Sequence, residues 1–449
     1  MTENSNREEW SSKIGFIFAA AGSAIGLGNI WRFPYVTGQN GGAAFVFVYL
    51  LCIVFIGLPY LYGELALGRA CRKNPVGAFK SLKPGSLWIL VGGLGIFTGL
   101  GILAFYSVIA GWTFGYIFRI LFRAGGTFES YAANAWLQIG LFGFFIFITV
   151  AVVSGGVAKG IERCSKILMP LLILLILGLI IYANSLEGAG KGLEWYLKPD
   201  FSKITGKVVL NAMGQAFFSM SLGMGLMITY GSYISKKDNL ITSGFFVGLF
   251  DMLIAILAGF MIFPALFAMQ KDPAAGTSLV FQVLPDIFGQ MPGGILFGVV
   301  FFTLISIAAL TSTISVLEVG VAYLIDERKV RRRAAVWIVG GLSFLLGIPS
   351  ALSQGAVPFL GNLSFLPEKL TGGTDFLSYM IFLFGVCALA IGAFLTSIFI
   401  GWVWGIKNAA AEIEQGCPGF AKWAWLWGIF IRFICPIMIF IIFIRIFWS

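Results

Sequence analysis

The chain has 449 residues, of which 59% are hydrophobic and 11% are charged, and its formal net charge is +10. A soluble domain carries roughly 25% charged residues, so this composition excludes water as the main solvent of the fold. Histidine is absent and the six cysteines show no CxxC spacing, which excludes imidazole metal sites and histidine-based catalysis. The basic residues are scattered through short loops, and they therefore indicate membrane topology rather than a nucleic-acid partner.

Apolar stretches long enough to cross a bilayer, which takes about 20 residues, recur along the whole sequence. They predict an all-α polytopic membrane protein with eleven transmembrane helices, at 14–36, 41–68, 86–118, 137–157, 166–184, 208–233, 240–268, 292–325, 334–353, 376–406 and 424–447. The predicted organisation is a cytoplasmic tail (1–12), a first repeat of helices 1–5 (13–184), an extracellular loop (185–207), a second repeat of helices 6–10 (208–407), and a connector with helix 11 (408–449).

The distribution of lysine and arginine predicts the orientation in the membrane. These residues are more frequent in the loops that share a side with the N-terminus, including Arg69, Arg72 and Lys73. Because cytoplasmic loops carry the excess of positive charge, we predict a cytoplasmic N-terminus. An odd number of helices then leaves Ser449 outside.

Two of the predicted helices contain clusters of glycine and polar residues. The first contains 22–29 (GSAIGLGN) and the sixth contains 219–225 (SMSLGMG). Glycine weakens a helix by about 1 kcal/mol relative to alanine, so these clusters favour local unwinding. Small residues also allow close helix packing. The two clusters lie five helices apart, however, which favours an inverted five-plus-five repeat with broken first and sixth helices and a binding site near the midplane.

Polar residues inside the predicted membrane helices are candidates for function. On the eighth helix Ala308, Thr311, Ser312 and Ser315 follow helical spacing, although such a stripe more often forms interhelical hydrogen bonds than an ion site. Asp251 lies in an otherwise uncharged stretch, where a bare carboxylate is costly and usually functional. A structural acceptor for a neighbouring helix is the alternative interpretation of Asp251.

Several longer motifs resemble those of one known family. They are GLGNIWRFPY at 26–35, NGGAAF at 40–45, KGIER at 159–163, SMSLG at 219–223 and AALTS at 308–312. Together they resemble the neurotransmitter:sodium symporter family, most closely its bacterial members, from Arg7 to the end of the tenth helix. The resemblance implies sodium-coupled symport of amino acids by alternating access across the plasma membrane, without enzymatic activity.

The resemblance implies two sodium sites. The first would consist of the Ala24 carbonyl, the Asn29 side chain, Ser219 and Asp251, where the family commonly has Asn at position 251. The second would consist of the carbonyls of Gly22, Ile25 and Ala308 with the hydroxyls of Thr311 and Ser312. Both sets are oxygen-rich, as a hard cation requires.

The resemblance also implies a substrate site between the broken helices. Its residues would be Ala24, Gly26, Leu27, Gly28, Ile102, Tyr106, Phe218, Ser219, Ser221, Met224, Ser312 and Val316. Relatives that transport monoamines have Asp where this chain has Gly26, so the site suits a ligand that brings its own carboxylate, with Tyr106 as a hydrogen-bond donor to it. The mostly apolar lining, with the flexible Met224, predicts hydrophobic or aromatic L-amino acids.

The same resemblance implies gates. Arg32 and Asp375 match an external ion pair with Tyr106 and Phe218 beneath it, and Arg7 and Asp326 match a cytoplasmic pair with Trp10 beside it. Within the fifth helix, the segment between Gly160 and Pro170 is expected to unwind and let water reach the second sodium site, because both residues weaken a helix.

Chloride is not expected to be required. Many animal relatives hold chloride with Tyr, Gln and two Ser residues, and the matching positions here are Tyr49, Gln215, Ser219 and Ala255, so one donor is missing. The negative charge of Asp251 offsets the cost of holding cations in a low-dielectric interior. The alternative is that chloride still binds and that Asp251 is protonated during part of the transport cycle.

Two rival classes are less well supported. An ion channel should show rings of like charge or repeated carbonyl loops, and the sequence has single asymmetric sites. A membrane enzyme is disfavoured by the lack of histidine and of clustered carboxylates. The expected partners are therefore an amino acid, two Na⁺ ions and the lipid bilayer of a bacterial cytoplasmic membrane, with no nucleic acid and with a monomer sufficient for transport.

Overall fold

A computed structural model describes residues 8–274 and 279–448, and within these ranges the chain is helical and contains no strand. Among the described residues, nine long apolar helices are unbroken spans: Ala43–Cys71, Ile89–Leu121, Ala135–Ser154, Val157–Asn184, Leu240–Ala268, Gly294–Arg328, Arg332–Leu352, Phe376–Glu414 and Ala424–Arg445. Two more spans are broken, the first at Lys13–Ala24 and Gly28–Gln39, the sixth at Gly206–Ser219 and Leu226–Gly231. We number these eleven elements span 1 to span 11 in chain order. They confirm the predicted all-α fold with broken first and sixth helices.

The spans are helical because a bilayer offers no water to satisfy backbone polar groups, so each N–H and C=O must find a partner within its own segment. In the part of the chain that the structure describes, the helices of the connections are short: Pro75–Leu82, Phe128–Ala132, Ala189–Leu197, Phe201–Lys203, Val283–Gln290, Pro358–Gly361, Glu368–Thr371 and Phe420–Lys422. Non-helical backbone at the depth of the membrane must therefore be buried inside the protein, away from lipid.

Span 5 begins earlier than the sequence predicted. The expected helix started at residue 166, whereas the structure starts it at Val157 with a wide π-helical turn through Glu162. The charged residues there indicated a loop, but the Glu162 carboxylate accepts from Lys166 one turn later and is 1% exposed. Because this carboxylate has a basic partner and is shielded by the protein, the charged residues there are compatible with a helix that starts at Val157.

The break in span 1 turns the chain by 49° between its two helical halves. Ile25 is extended, with φ −77° and ψ 102°, so the helix ends at Ala24 and restarts at Gly28. The break in span 6 contains three left-handed residues, Ser221, Gly223 and Gly225. A side chain on Gly223 would lie 2.7 Å from the Leu389 carbonyl oxygen, so glycine is required there by both conformation and space.

The two breaks face each other in the centre of the molecule. Span 8 packs along span 3 and beside the first half of span 1. The helix ends around the breaks lie on two opposite faces. We call the one that carries Trp10 and Asp326 the Trp10 face, and the one that carries Arg32 and Asp375 the Arg32 face. The fold thus places unwound backbone from both halves of an inverted repeat between two potential entrances.

Candidate functional site at the two helix breaks

Four fully buried polar side chains from four different spans meet beside the first break; we call them the Asp251 cluster. Asp251 Oδ1 accepts from Asn29 Nδ2 at 2.8 Å and from Ser219 Oγ at 2.7 Å, while Oδ2 accepts from the Tyr49 hydroxyl at 3.1 Å. Asn29 Nδ2 also donates to the Asp251 carbonyl at 3.1 Å. The structure therefore brings together the three predicted side chains of the first sodium site and adds Tyr49.

A second group of oxygens lies between spans 1 and 8; we call it the Ser312 cluster. Ser312 Oγ lies 3.2 Å from the Ser23 carbonyl, 3.4 Å from that of Ile25 and 3.3 Å from that of Ala308. Thr311 Oγ1 donates to the Ala308 carbonyl at 3.0 Å, and a Cβ on Gly22 would lie 3.2 Å from the Thr311 Cβ. All five residues predicted for the second sodium site are thus adjacent, and the group contains only neutral oxygens.

A cavity of about 30 Å³ lies between the two clusters. Ten of the residues that line it were predicted to bind substrate, and three others line it as well. The lining consists of Ser23, Ala24, Gly26, Gly28, Ile102, Leu103, Tyr106, Phe218, Ser221, Met224, Ser312, Thr313 and Val316. The remaining two predicted residues lie at its border. Leu27 lines a larger, neighbouring cavity on the side of the Arg32 face, and Ser219 belongs to the Asp251 cluster.

The position of Gly26 limits what this cavity can recognise. A Cβ on Gly26 would lie 2.5 Å from both the Tyr106 and the Ser312 hydroxyl oxygens, closer than side chains pack. Tyr106 accepts from the backbone N–H of Leu27 at 2.9 Å. A side chain at position 26 would therefore have to displace both hydroxyls, and the groups that face the cavity here are hydroxyls and unwound backbone.

Sequence reasoning missed three lining residues, Leu103, Thr313 and Ser23, and Ser23 makes the most polar contacts of the three at the cavity. Its carbonyl accepts from both Ser221 and Ser312, and its hydroxyl accepts from Ser315 at 2.7 Å. It thereby links spans 1, 6 and 8 at the cavity. Its place inside the glycine cluster 22–29 was the available signal, but the motif gave no role for a small hydroxyl at this position.

The Arg32 face is open. A vestibule of about 980 Å³ leads inward from this face, and Tyr106 and Phe218 line it at the level of the smaller cavity. Arg32 and Asp375 both line it, but these two described residues form no ion pair with each other. Arg32 instead donates to Gln215 at 2.8 Å and lies 4.9 Å from the Phe218 ring centroid.

Asp375 has a local role in this conformation. Its carboxylate caps span 10 by accepting from the Ser378 N–H at 3.1 Å, and it also accepts from Gln354 Nε2 at 2.6 Å. The expected Arg32–Asp375 pair is therefore absent here because the vestibule separates its members. Each has a substitute partner that a closing motion would have to displace.

The Trp10 face is closed. Trp10 donates its backbone N–H to the Tyr233 carbonyl at 3.2 Å and its indole N–H to the Tyr230 carbonyl at 3.1 Å, and its ring packs on Phe16. Asp326 accepts from the backbone N–H of Asn74 at 2.7 Å and from its side chain at 3.1 Å. Arg7, the predicted partner of Asp326, lies outside the described residues.

Two oxygen clusters, a small cavity between them and one open entrance together define a class of protein. Unwound carbonyls at the midplane of an inverted repeat are the arrangement by which secondary transporters bind a solute and its coupling ions. Among the described residues, no group of three or more His, Cys, Asp and Glu side chains is placed to hold a metal ion, so a cation here would depend on carbonyl, amide and hydroxyl oxygens together with the single carboxylate of Asp251.

Comparisons with known proteins agree with this class. The model of the sodium:neurotransmitter symporter family matches residues 7–125 and 130–449. The chain belongs to this family. It is thus a sodium symporter and not an enzyme.

Relatives of the whole chain are similar in length. The sodium-dependent transporter YhdH of Bacillus subtilis is 38% identical over 446 residues, which cover 97% of each chain, and a sodium-dependent transporter of Haemophilus influenzae is 35% identical over 99% of each. Among solved structures, the crystal structure of MhsT in complex with L-phenylalanine has 43% sequence identity and a TM-score of 0.87, over 98% of this chain and 100% of that one.

Proposed function

We propose that this protein couples the entry of a hydrophobic or aromatic L-amino acid to the entry of two sodium ions. The observation that carries the proposal is the cavity at the two helix breaks, which lies between the Asp251 and Ser312 clusters. The similarity to MhsT, which was crystallised with L-phenylalanine, supports the same class of substrate.

The substrate would lie with its charged end at the breaks. Ala24, Gly26, Leu27 and Gly28 supply unwound backbone, and a sodium ion at the Asp251 cluster would face the carboxylate. Phe218 and Ser221 would present carbonyls to the amine. Ile102, Met224 and Val316 would surround the side chain, and since the cavity measures only about 30 Å³, Met224 and Phe218 must shift to admit a large one.

The first ion would bind at Ala24, Asn29, Ser219 and Asp251, and the second at Gly22, Ile25, Ala308, Thr311 and Ser312. The present hydrogen bonds support this assignment because they hold Asp251 Oδ1 at 2.7 Å from Ser219 Oγ and Ser312 Oγ at 3.4 Å from the Ile25 carbonyl oxygen. A cation that enters would replace these hydrogen bonds with coordination to the same oxygens, and the Asn29 amide, whose nitrogen now faces Asp251, would turn its oxygen toward the ion.

Transport would not require chloride. The Asp251 carboxylate already accepts from the hydroxyls of Tyr49 and Ser219, two of the groups that would otherwise donate to the halide, and Ala255 offers no donor. A fixed carboxylate would then supply the negative charge that a halide supplies elsewhere.

Alternating access would use the two faces in turn. We assign the Arg32 face to the outside and the Trp10 face to the cytoplasm of a bacterial cell, in agreement with the distribution of lysine and arginine. The structure would then represent a state open to the outside, and Arg32 would pair with Asp375 when it closes. A monomer contains every group named here.

The test is uptake by the purified protein in proteoliposomes. A labelled amino acid such as phenylalanine should accumulate only when sodium is supplied outside, and unlabelled hydrophobic and aromatic amino acids should compete best among all twenty. Accumulation without a sodium gradient, or strongest competition by charged amino acids, would contradict the proposal.

A further inference from the structure

Two carboxylates tie the segment 8–12 to the beginning of span 5. Glu162 is 1% exposed and accepts four hydrogen bonds, from the Ser11 N–H at 2.7 Å, the Ser11 hydroxyl at 2.6 Å, the Ser12 hydroxyl at 3.0 Å and Lys166 Nζ at 2.7 Å. Glu8 Oε2 accepts from the backbone N–H of Val157. Both ties reach the same wide turn of span 5, Val157–Glu162.

The packing around these ties is close. A Cβ on Gly15 would lie 1.9 Å from Glu162 Oε1, so only glycine leaves room for the carboxylate. Gly156 is left-handed, with φ +88°, and a Cβ there would lie 3.1 Å from Glu8 Oε2. Glycine on each side thus allows both carboxylates to reach their partners.

The ties join the two elements that cover the Trp10 face. Segment 8–12 carries Trp10, which is hydrogen-bonded to the carbonyls of Tyr230 and Tyr233. Span 5 covers the Ser312 cluster, since Met169 Sδ would lie 3.2 Å from a Cβ on Gly22. Release of an ion toward this face requires both covers to move.

We propose that Glu162 is a positioning residue that makes these two covers open together. It touches neither the substrate cavity nor either oxygen cluster, and it acts by holding Ser11 and Ser12 on span 5. A buried carboxylate is costly without its donors. If segment 8–12 moved away while span 5 stayed in place, Glu162 would lose the hydrogen bonds from Ser11 and Ser12 and would need water or another cation in their place. The inference rests on the proposed function for its role in ion release.

The native thiol of Cys164 reports this motion. Cys164 is partly buried, packs against the core and lies two residues after Glu162. The full chain in nanodiscs, without sodium or substrate, is treated with a small water-soluble thiol reagent, and each cysteine is quantified by peptide mass spectrometry. Glu162→Gln keeps the shape of the side chain but removes its charge, and we expect Cys164 to react about tenfold faster because charge-assisted hydrogen bonds are lost. The buried Cys387 in span 10 should react at its original rate.

A second variant removes the hydrogen-bond donors of Glu162 instead of its carboxylate. Ser11→Ala with Ser12→Ala removes the two hydroxyl donors and should accelerate Cys164 labelling in the same direction. The matched control is Glu194→Gln, which breaks the exposed pair with Lys198 at 3.5 Å and should leave the labelling of Cys164 unchanged. Unchanged Cys164 labelling in both Glu162→Gln and the double serine variant would overturn the proposal, as would equal acceleration of Cys164 and Cys387, which indicates general loosening.

Binding measurements separate this inference from the proposed function. If Glu162 holds the covers closed, its loss raises the sodium concentration for half-maximal phenylalanine binding severalfold while the number of binding sites per protein stays the same. A fall in the number of sites with no change in the sodium midpoint would overturn the role in gating. If the unaltered protein binds no phenylalanine in sodium, the proposed function fails, whereas the labelling result still decides whether Glu162 joins the covers.

Discussion

The two oxygen clusters beside the substrate cavity differ in charge. The Asp251 cluster contains a fully buried carboxylate with hydrogen-bond donors from three other spans. The Ser312 cluster has neutral hydroxyls and carbonyls from spans 1 and 8 only. Cation affinity rises with the charge of the ligands and the rigidity of the site. We therefore expect the Asp251 cluster to hold its ion more tightly and the Ser312 cluster to release its ion first.

The location of the clusters agrees with this order. The Asp251 cluster lies among the bodies of spans 1, 2, 6 and 7, whereas the Ser312 cluster lies beside span 5, which covers the Trp10 face. A cation that leaves toward that face would therefore come from the neutral cluster. If both clusters bind sodium as proposed, the Asp251 cluster would hold its ion throughout substrate binding and the Ser312 cluster would be the site that releases its ion.

Replacing Asn29 should have the largest effect. Asn29→Ala removes the amide that contacts Asp251 and Ser219, and leaves a buried carboxylate with fewer donors, so sodium-stimulated binding should fall by about 100-fold or more. The measurement is equilibrium binding of labelled phenylalanine against sodium concentration. Asn408→Ala, which removes a hydrogen bond to the Trp404 carbonyl, is the matched control. Undiminished sodium-dependent binding by Asn29→Ala would reject the assignment of this cluster.

Replacing the carboxylate of Asp251, so that a chloride ion from solution must supply the negative charge, should have the next largest effect. Asp251→Asn with Ala255→Ser removes the carboxylate and adds a hydroxyl, so uptake in gluconate should fall about tenfold relative to uptake in chloride, since the counter-charge must then come from solution. The unaltered protein should transport equally in both salts at fixed sodium, and a large fall on removing chloride from it would contradict the role given to Asp251. Ala255→Ser alone is the control.

Replacing Ser312 should have a smaller effect than either. Ser312→Ala removes one neutral oxygen from its cluster, so the sodium concentration for half-maximal uptake should rise about fivefold, the size of one uncharged hydrogen bond. The measurement is initial uptake against sodium. Thr303→Ala, which removes a hydroxyl bonded to the Val299 carbonyl on the same span, should leave the sodium midpoint unchanged. An effect as large as that of Asn29→Ala would erase the proposed difference between the clusters.

The smallest effect is expected from a substitution in the substrate cavity, which lies between the two clusters. Met224→Phe places a ring where a flexible thioether can move aside, so competition should shift by about threefold from aromatic toward smaller aliphatic amino acids. The sodium midpoint should stay the same, because Met224 belongs to neither cluster. Met252→Phe, at a partly exposed position on span 7, is the control. An unchanged competition order would place the side-chain pocket elsewhere.

Much of this arrangement could be predicted because its signals are local. Glycine clusters indicated both breaks, and the long motifs around Asn29, Ser219 and Thr311 identified oxygens that lie next to one another in the structure. The Glu162 contacts could not be predicted, since their partners lie about 150 residues away and nothing in the local sequence selects Ser11 or Ser12. The separation of Arg32 from Asp375 also could not, because one sequence serves every conformation of the transport cycle and only a structure selects one.

The Asp251 carboxylate also has an electrical consequence. Because it is part of the chain, it does not cross the membrane with the cargo, and a zwitterionic amino acid carries no net charge. If two sodium ions enter and no anion follows, each turnover moves two positive charges inward. A potential of −100 mV adds about 2.3 kcal/mol for each charge, so the potential alone would support roughly a 2,000-fold accumulation of substrate. Current at a clamped voltage should therefore accompany uptake, in the ratio of two charges for each amino acid.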